Sequence, residues 1–191
     1  ITYIDASKCV DIANVTILTN HTTYKITSTN GLDNFDKLLR NNKTHKRMTG
    51  DITVVLMNDL DISSLSQPLG DAQANTYFDG EFYGNGHTLS NLTLSAKDVN
   101  NMNCGLFAYC TGLVKDLIVK DANIKITKGS FDYAYDGGNV GILCGDYSGG
   151  RVINVSVSGN ILVDSNYKTV VGGLCGNGGQ AQDCNINVHI K

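Results

Sequence analysis

Two acidic pairs are the residues best suited to chemistry. Asp79 and Glu81 lie in "FDGEF", and Asp132 and Asp136 lie in "GSFDYAYDGG". Paired carboxylates can hydrolyse glycosides, and acidic cation ligands beside an Arg or Lys base can cleave polysaccharides. Neither pair has such company, since Arg40 and Arg151 have no evident acidic partner set. The second pair is interleaved with Phe131, Tyr133 and Tyr135, and rings beside carboxylates suit stacking on sugars. Residues 131–136 are therefore a possible glycan-contact loop, with an ordinary solvent-exposed loop as the alternative. No catalytic residue is expected, and the chain is read as non-enzymatic.

Metal and cofactor chemistry finds no support either. His21, His45, His87 and His189 are scattered, and no HExxH motif occurs. The six cysteines, Cys9, Cys104, Cys110, Cys144, Cys175 and Cys184, show no C-x-x-C spacing and no nearby His to complete a zinc set. "YGNGH" and "GNGGQ" are Gly-rich, but no helix follows to present its N-terminus to a phosphate. No cofactor is expected. A net charge of −3 without a concentrated basic face argues against nucleic acid as a main partner. No apolar run approaches the ~18 residues of a membrane-spanning helix, so no membrane insertion is expected.

Composition points to an all-β protein rich in turns. Glu81 is the one glutamate and Pro68 the one proline among 191 residues, whereas Gly, Asn, Asp, Thr and Val abound. Five N-x-[ST] sequons fall at Asn14, Asn20, Asn42, Asn91 and Asn154. With an even cysteine count they favour a secreted, extracellular or cell-surface glycoprotein.

The elements that must position these residues follow from periodicity. Residues 1–27 form a β-like arm. In "NGLDNFDKLLRNN", Leu32, Phe35, Leu38 and Leu39 share one helical face, with Thr29 or Asn30 able to cap the start. The strand "DITVVLMNDLDI" follows. From Phe78 onward the sequence repeats. "GNGHTLSNLTL" ends in Leu89, Leu92 and Leu94, and "CGLFAYCTGLVKDLIV" in Val114, Leu117 and Val119. "VGILCGDYSGGRVINVSV" ends in Val152, Val155 and Val157, and "VGGLCGNGGQAQDCNINV" in Ala181, Cys184 and Ile186. This register puts Asn91, Asp116, Asn154 and Asp183 at one polar position. Leu106, Leu143 and Leu174 are then equivalent, spaced 37 and 31 residues apart.

A single such repeat cannot bury its apolar edge, but stacked repeats can, about 4.8 Å apart. The expected fold is a right-handed parallel β-helix of about four coils. A helix covers its N-terminal end, and residues 28–191 form one domain behind the 1–27 arm. Stacking would set the Cα atoms of Cys144 and Cys175 within the roughly 4.4–6.8 Å window of a disulfide. A buried thiol ladder is the alternative. Cys104 with Cys110 could close a short loop, Cys184 could fill core space, and Cys9 could tether the arm. Asn91 and Asn154 could carry glycans on outward corners or bond to the neighbouring coil.

The four segments, led by "YFDGEFYGNGHTLSNLTL", resemble GLUG-type repeats. These occur in right-handed β-helix domains of bacterial and protist surface proteins, including the N-terminal region of IgA-cleaving metallopeptidases. The resemblance covers about 31–191 and departs from the usual pattern at Ala108, Asp116 and Asp183. It implies surface display, adhesion or scaffolding, and assigns Asp79 and Glu81 to the turn of the first coil. Without HExxH, the peptidase chemistry of that family is not implied here.

The closing alternation of Ile186, Val188 and Ile190 has no polar cap after it. The expected function is accordingly an extracellular structural glycoprotein. It would self-assemble head-to-tail into a filament or surface layer, as a homo-polymer joined through coil ends and the N-terminal arm. An adhesive or carbohydrate-binding module of a larger surface protein, contacting glycans, is the alternative.

Overall fold

Alternating apolar residues in short runs build this molecule from parallel strands. The computed structural model describes residues 2–5, 22–41, 52–70, 77–97, 103–128, 138–166 and 168–191. Among the described residues the chain is mostly β, with one helix and a curled parallel sheet. The first strands are β1 (Thr2–Asp5), β2 (Thr22–Ile26), β3 (Ile52–Leu56) and β4 (Leu60–Asp61). The next pass of the chain holds β5 (Glu81–Tyr83), β6 (Thr88–Ser90) and β7 (Thr93–Lys97). It is followed by β8 (Asn103–Cys104), β9 (Phe107–Tyr109) and the long β10 (Leu113–Thr127). Then come β11 (Asn139–Val140) and β12 (Cys144–Val163). The final pass holds β13 (Val170–Val171), β14 (Cys175–Gln182) and β15 (Asn185–Ile190).

Twelve of these strands join one sheet, in the order β1-β2-β3-β5-β10-β12-β14 with β4, β6, β7, β9 and β15 beside it. A small sheet runs β13-β11-β8. Pairing is parallel, and each pass lies on the one before it. Strands β10 and β12 bend around corners, so one long strand pairs with several short ones of the neighbouring pass.

Parallel register places like residues over like. Phe107 pairs with Cys144 and Cys144 with Cys175, so Leu106, Leu143 and Leu174 stack as expected. All three are buried. The inward column Leu60, Leu89, Val119, Val157 and Ile186 crosses five passes. Each fully buried Val, Leu or Phe contributes roughly 1.5–3 kcal/mol.

The helix α1 (Thr29–Asn41) buries Leu32, Phe35 and Leu39. Phe35 meets Phe78 edge-on at 5.5 Å and lies 6.4 Å from Phe82. Ser28, rather than Thr29 or Asn30, caps the helix, its hydroxyl accepting the Gly31 amide at 3.3 Å. The helix is tied to the turn below by Asp36, which accepts from the Gly70 amide, and by Arg40, which donates to the Pro68 carbonyl.

Two expectations change. Stacking does not begin at Phe78, because β1, β2 and β3 already belong to the same sheet. Thr22–Ile26 is thus a strand of the body and not part of a separate 1–27 arm. The first repeat also shifts register: Leu89, Leu92 and Leu94 lie beside Val119, Ala122 and Ile124. Asn91 therefore stands beside Asp121 and not beside Asp116. The cause is the turn at 84–87, where four residues occupy the span that 116–117 fill in the next pass.

Close stacking leaves no space for a side chain at some corners. A Cβ on Gly141 would lie 2.6 Å from the Cys144 carbonyl oxygen and from the Cys175 Cα. Gly141→Ala is expected to lower the unfolding free energy by about 1–3 kcal/mol through overpacking. Urea denaturation would check this, and an unchanged midpoint would contradict it.

Candidate functional site: an open last pass and its polar corners

The inward columns lead to an exposed end. Leu89 and Val119 are fully buried and Val157 is 2% exposed, yet Ile186 in the same column is 52% exposed. Ile124 and Ile161 are buried, and Ile190 beside them is 46% exposed. Val170 of β13 is exposed as well. Among the described residues, β14 and β15 pair only with β12, and β13 only with β11. The side facing away from those partners is a row of backbone donors and acceptors over apolar side chains, which is a template for further pairing.

Polar corners flank this end. Asp116, Asn154 and Asp183 stack at one corner, with φ of 54°, 52° and 54°. Asn and Asp are the non-glycine residues that tolerate this left-handed conformation best. The Asn154 amide donates to the Asp116 carboxylate at 2.7 Å. A second corner holds Asn91 (φ 62°) and Asp121 (φ 56°), and the Asn91 amide donates to Asp61 at 2.8 Å. Both sequon asparagines are exposed and bonded to the neighbouring pass, so they combine features of the two fates the sequence left open. Asp61 also accepts from the Ser63 amide at 2.9 Å. That amide, then the Ser63 hydroxyl and Asn91, hold its carboxyl below the ordinary range. At the turn nearby, Asp59 accepts from the Thr88 amide at 2.9 Å and faces His87 Nδ1 at 3.1 Å. Asp59 is likewise held low, by Thr88 first and His87 next.

Among the described residues the cysteines are free thiols and not disulfides. Cys144 and Cys175 are register partners, and both are free, as are Cys104, Cys110 and Cys184. The disulfide candidates Cys144 with Cys175 and Cys104 with Cys110 therefore give way to the thiol ladder. Parallel neighbours project side by side into the core, and the Cys144 thiol instead donates to the Asp146 carbonyl at 2.9 Å. Burial pushes Cys104, Cys110 and Cys175 up to about 12, and it holds Cys144 well above its ordinary value with help from Cys110 and Cys175. These groups stay protonated at neutral pH, which suits neither nucleophilic attack nor metal ligation. Among the described residues, no group of three or more His, Cys, Asp or Glu could hold a metal ion.

At the other acidic pair, the Tyr83 hydroxyl donates to Glu81 at 3.2 Å. Burial and then the Glu81 charge raise that hydroxyl above the ordinary value. Asp79 follows the Phe78 bridge to Cys110, and Glu81 opens β5, where it pairs with Leu113. Phe131, Asp132, Tyr133, Tyr135 and Asp136 lie outside the described residues, as do Cys9, Asn14, Asn20 and Asn42. Sequence reasoning missed the Asn91–Asp61 contact and the Asp121 corner. The chain matches no family model, no curated protein and no solved structure.

The corner geometry is testable by substitution. Both Asn154→Gly and Asn154→Val lose the bond to Asp116, but Asn154→Val should cost about 1–2 kcal/mol more, because a β-branched residue resists positive φ. Equal stabilities in thermal and urea melts would contradict this. Asp61 gives a pH test. Its folded value is depressed, so its contribution is present above the ordinary 3.8 and is lost as pH falls through the folded value. Carboxyl NMR should place its midpoint below 3.8, and Asn91→Ala should raise it. A wild-type midpoint at or above the ordinary value would refute the assignment.

Proposed function

We propose that the chain is a structural module: a right-handed parallel β-helix that stacks end to end into a filament or surface layer and carries no catalytic chemistry. The observation that carries this reading is the exposure of Ile186 and Ile190 at the end of columns otherwise buried. In β14 and β15 the apolar side chains lie beside a backbone edge that, among the described residues, pairs only with β12.

The direction of the strands favours an open polymer. Strand order runs from β1 at one edge to β14 at the other, with all strands parallel. Joining β14 of one copy to β1 of the next continues that direction. Such a head-to-tail contact uses two different surfaces and, when the rotation does not close, gives a filament. Strand addition supplies main-chain hydrogen bonds, and the apolar columns supply burial. The sequons and the Asn- and Thr-rich composition support an extracellular setting, and the GLUG-like segments support a surface role.

Negative-stain microscopy of the purified chain across a concentration series tests the reading. Filaments or sheets that lengthen with concentration are expected. Monodisperse single particles at the highest concentration would defeat it.

A further inference from the structure

Three successive passes send two tyrosines and a carboxylate outward in one line. Phe78 and Cys110 are bridge partners and fully buried, so alternation turns the residues before them, Tyr77 and Tyr109, to the outer surface. Tyr109 pairs in turn with Asp146, whose following residue, Tyr147, is buried. Tyr77, Tyr109 and Asp146 are each half-buried. The two rings meet edge to face, with centroids 5.2 Å apart and planes at 84°. Such rings form two walls of a corner, and Asp146 stands one strand spacing, about 4.8 Å, further along the line. Its Oδ1 accepts from the Ser148 amide at 3.1 Å and the Ser148 hydroxyl at 2.5 Å, and its Oδ2 meets the Asn177 amide at 3.4 Å. These contacts fix the carboxylate, and its roughly four acceptor sites leave capacity beyond them. Among the described residues no Lys, Arg or His forms an ion pair with Asp146. Its charge reaches the Tyr109 hydroxyl, which burial first and Asp146 next hold above the ordinary value.

We propose that Tyr77, Tyr109 and Asp146 form a binding corner for an alkylated ammonium group of the choline type, a site independent of the end-to-end reading above. Tyrosine faces carry negative charge density and attract a cation within about 6 Å of the ring centroid. At 5.2 Å between centroids, one cation lies within that reach of both rings. Asp146 supplies the counter-charge, and no basic side chain of the described residues competes for it. The chemistry also selects among cations. A metal ion needs several oxygen ligands, and no group of three or more His, Cys, Asp or Glu among the described residues could hold one. A bare ammonium is compact and strongly hydrated, whereas methyl groups on the nitrogen bury apolar surface against the rings and leave the charge for the carboxylate. A neutral sugar would seek a flat ring platform, which planes at 84° do not offer.

An NMR titration of the chain with choline chloride tests this. The ring resonances of Tyr77 and Tyr109 and the backbone amide of Asp146 should shift together and saturate in the millimolar range. The neutral tert-butyl analogue of choline keeps the shape without the charge and should bind about fivefold more weakly. Asp146→Asn, which keeps the side-chain shape, and Tyr109→Leu should each weaken choline binding about fivefold, with circular dichroism unchanged. If Tyr109→Leu loses its fold, Tyr77→Leu removes the other wall and serves instead. Phosphatidylcholine vesicles separate the sources of the group. Vesicles that bind the wild type and not Asp146→Asn place it on a lipid, whereas binding of free choline without vesicle binding places it on a soluble compound, and either result supports the site. Choline that leaves these resonances unmoved, or moves them no more than its neutral analogue does, would overturn it. Shifts caused by a neutral oligosaccharide and not by choline would overturn it as well, marking the rings as a sugar contact.

Discussion

Parallel main-chain pairing between successive passes is the constraint from which the other features follow. With like residues set over like at strand spacing, the environment of a side chain is decided mainly by its neighbours one pass above and below. Leu106, Leu143 and Leu174 are buried because each has such a neighbour or a wall of the core beside it. Ile186 has a neighbour on one side only, and it is half exposed. The same rule explains Gly141, where the next pass comes so close that no Cβ fits.

Corners are where this pairing must change direction, and there the backbone enters the left-handed region. Asp116, Asn154 and Asp183 accept that conformation and use their side chains as well. Asn154 donates to Asp116 across the passes, so one residue type satisfies a backbone demand and an inter-pass contact together. A glycine would meet the first demand and forfeit the second. The alternation of amide and carboxylate also avoids like-charge stacking, which an all-Asp column would impose at each step.

Much of this organisation is legible in the sequence, for a physical reason. Inward positions repeat an apolar-x-apolar pattern, so the columns through Leu143 and Val155 can be traced by eye. The pattern misleads where two corners look alike. "LSNLTL" matches "VINVSV" residue by residue, yet its asparagine serves the second corner, because the Asn85–Gly86 turn lengthens the first. Tyr24, Ile26, Val54 and Leu56 carry the same alternation before any glycine-marked repeat, and so β2 escapes notice as part of the body.

Energetics decide how such an end would be used. Completing the burial of Ile186 and Ile190, each about half exposed, recovers roughly 1 kcal/mol apiece. Each backbone hydrogen bond adds only about 0.5–1.5 kcal/mol net. Immobilising a partner costs on the order of 4–15 kcal/mol. No single contact at this surface can meet that cost, so a partner must engage along β14 and β15 together. Within the chain, β12 already does so, through six register pairs to each of these strands. A strand that matched β14 alone would fall short. Any partner at this edge would need extended pairing and side-chain fit at once, which is the same double requirement that holds the passes of the chain together.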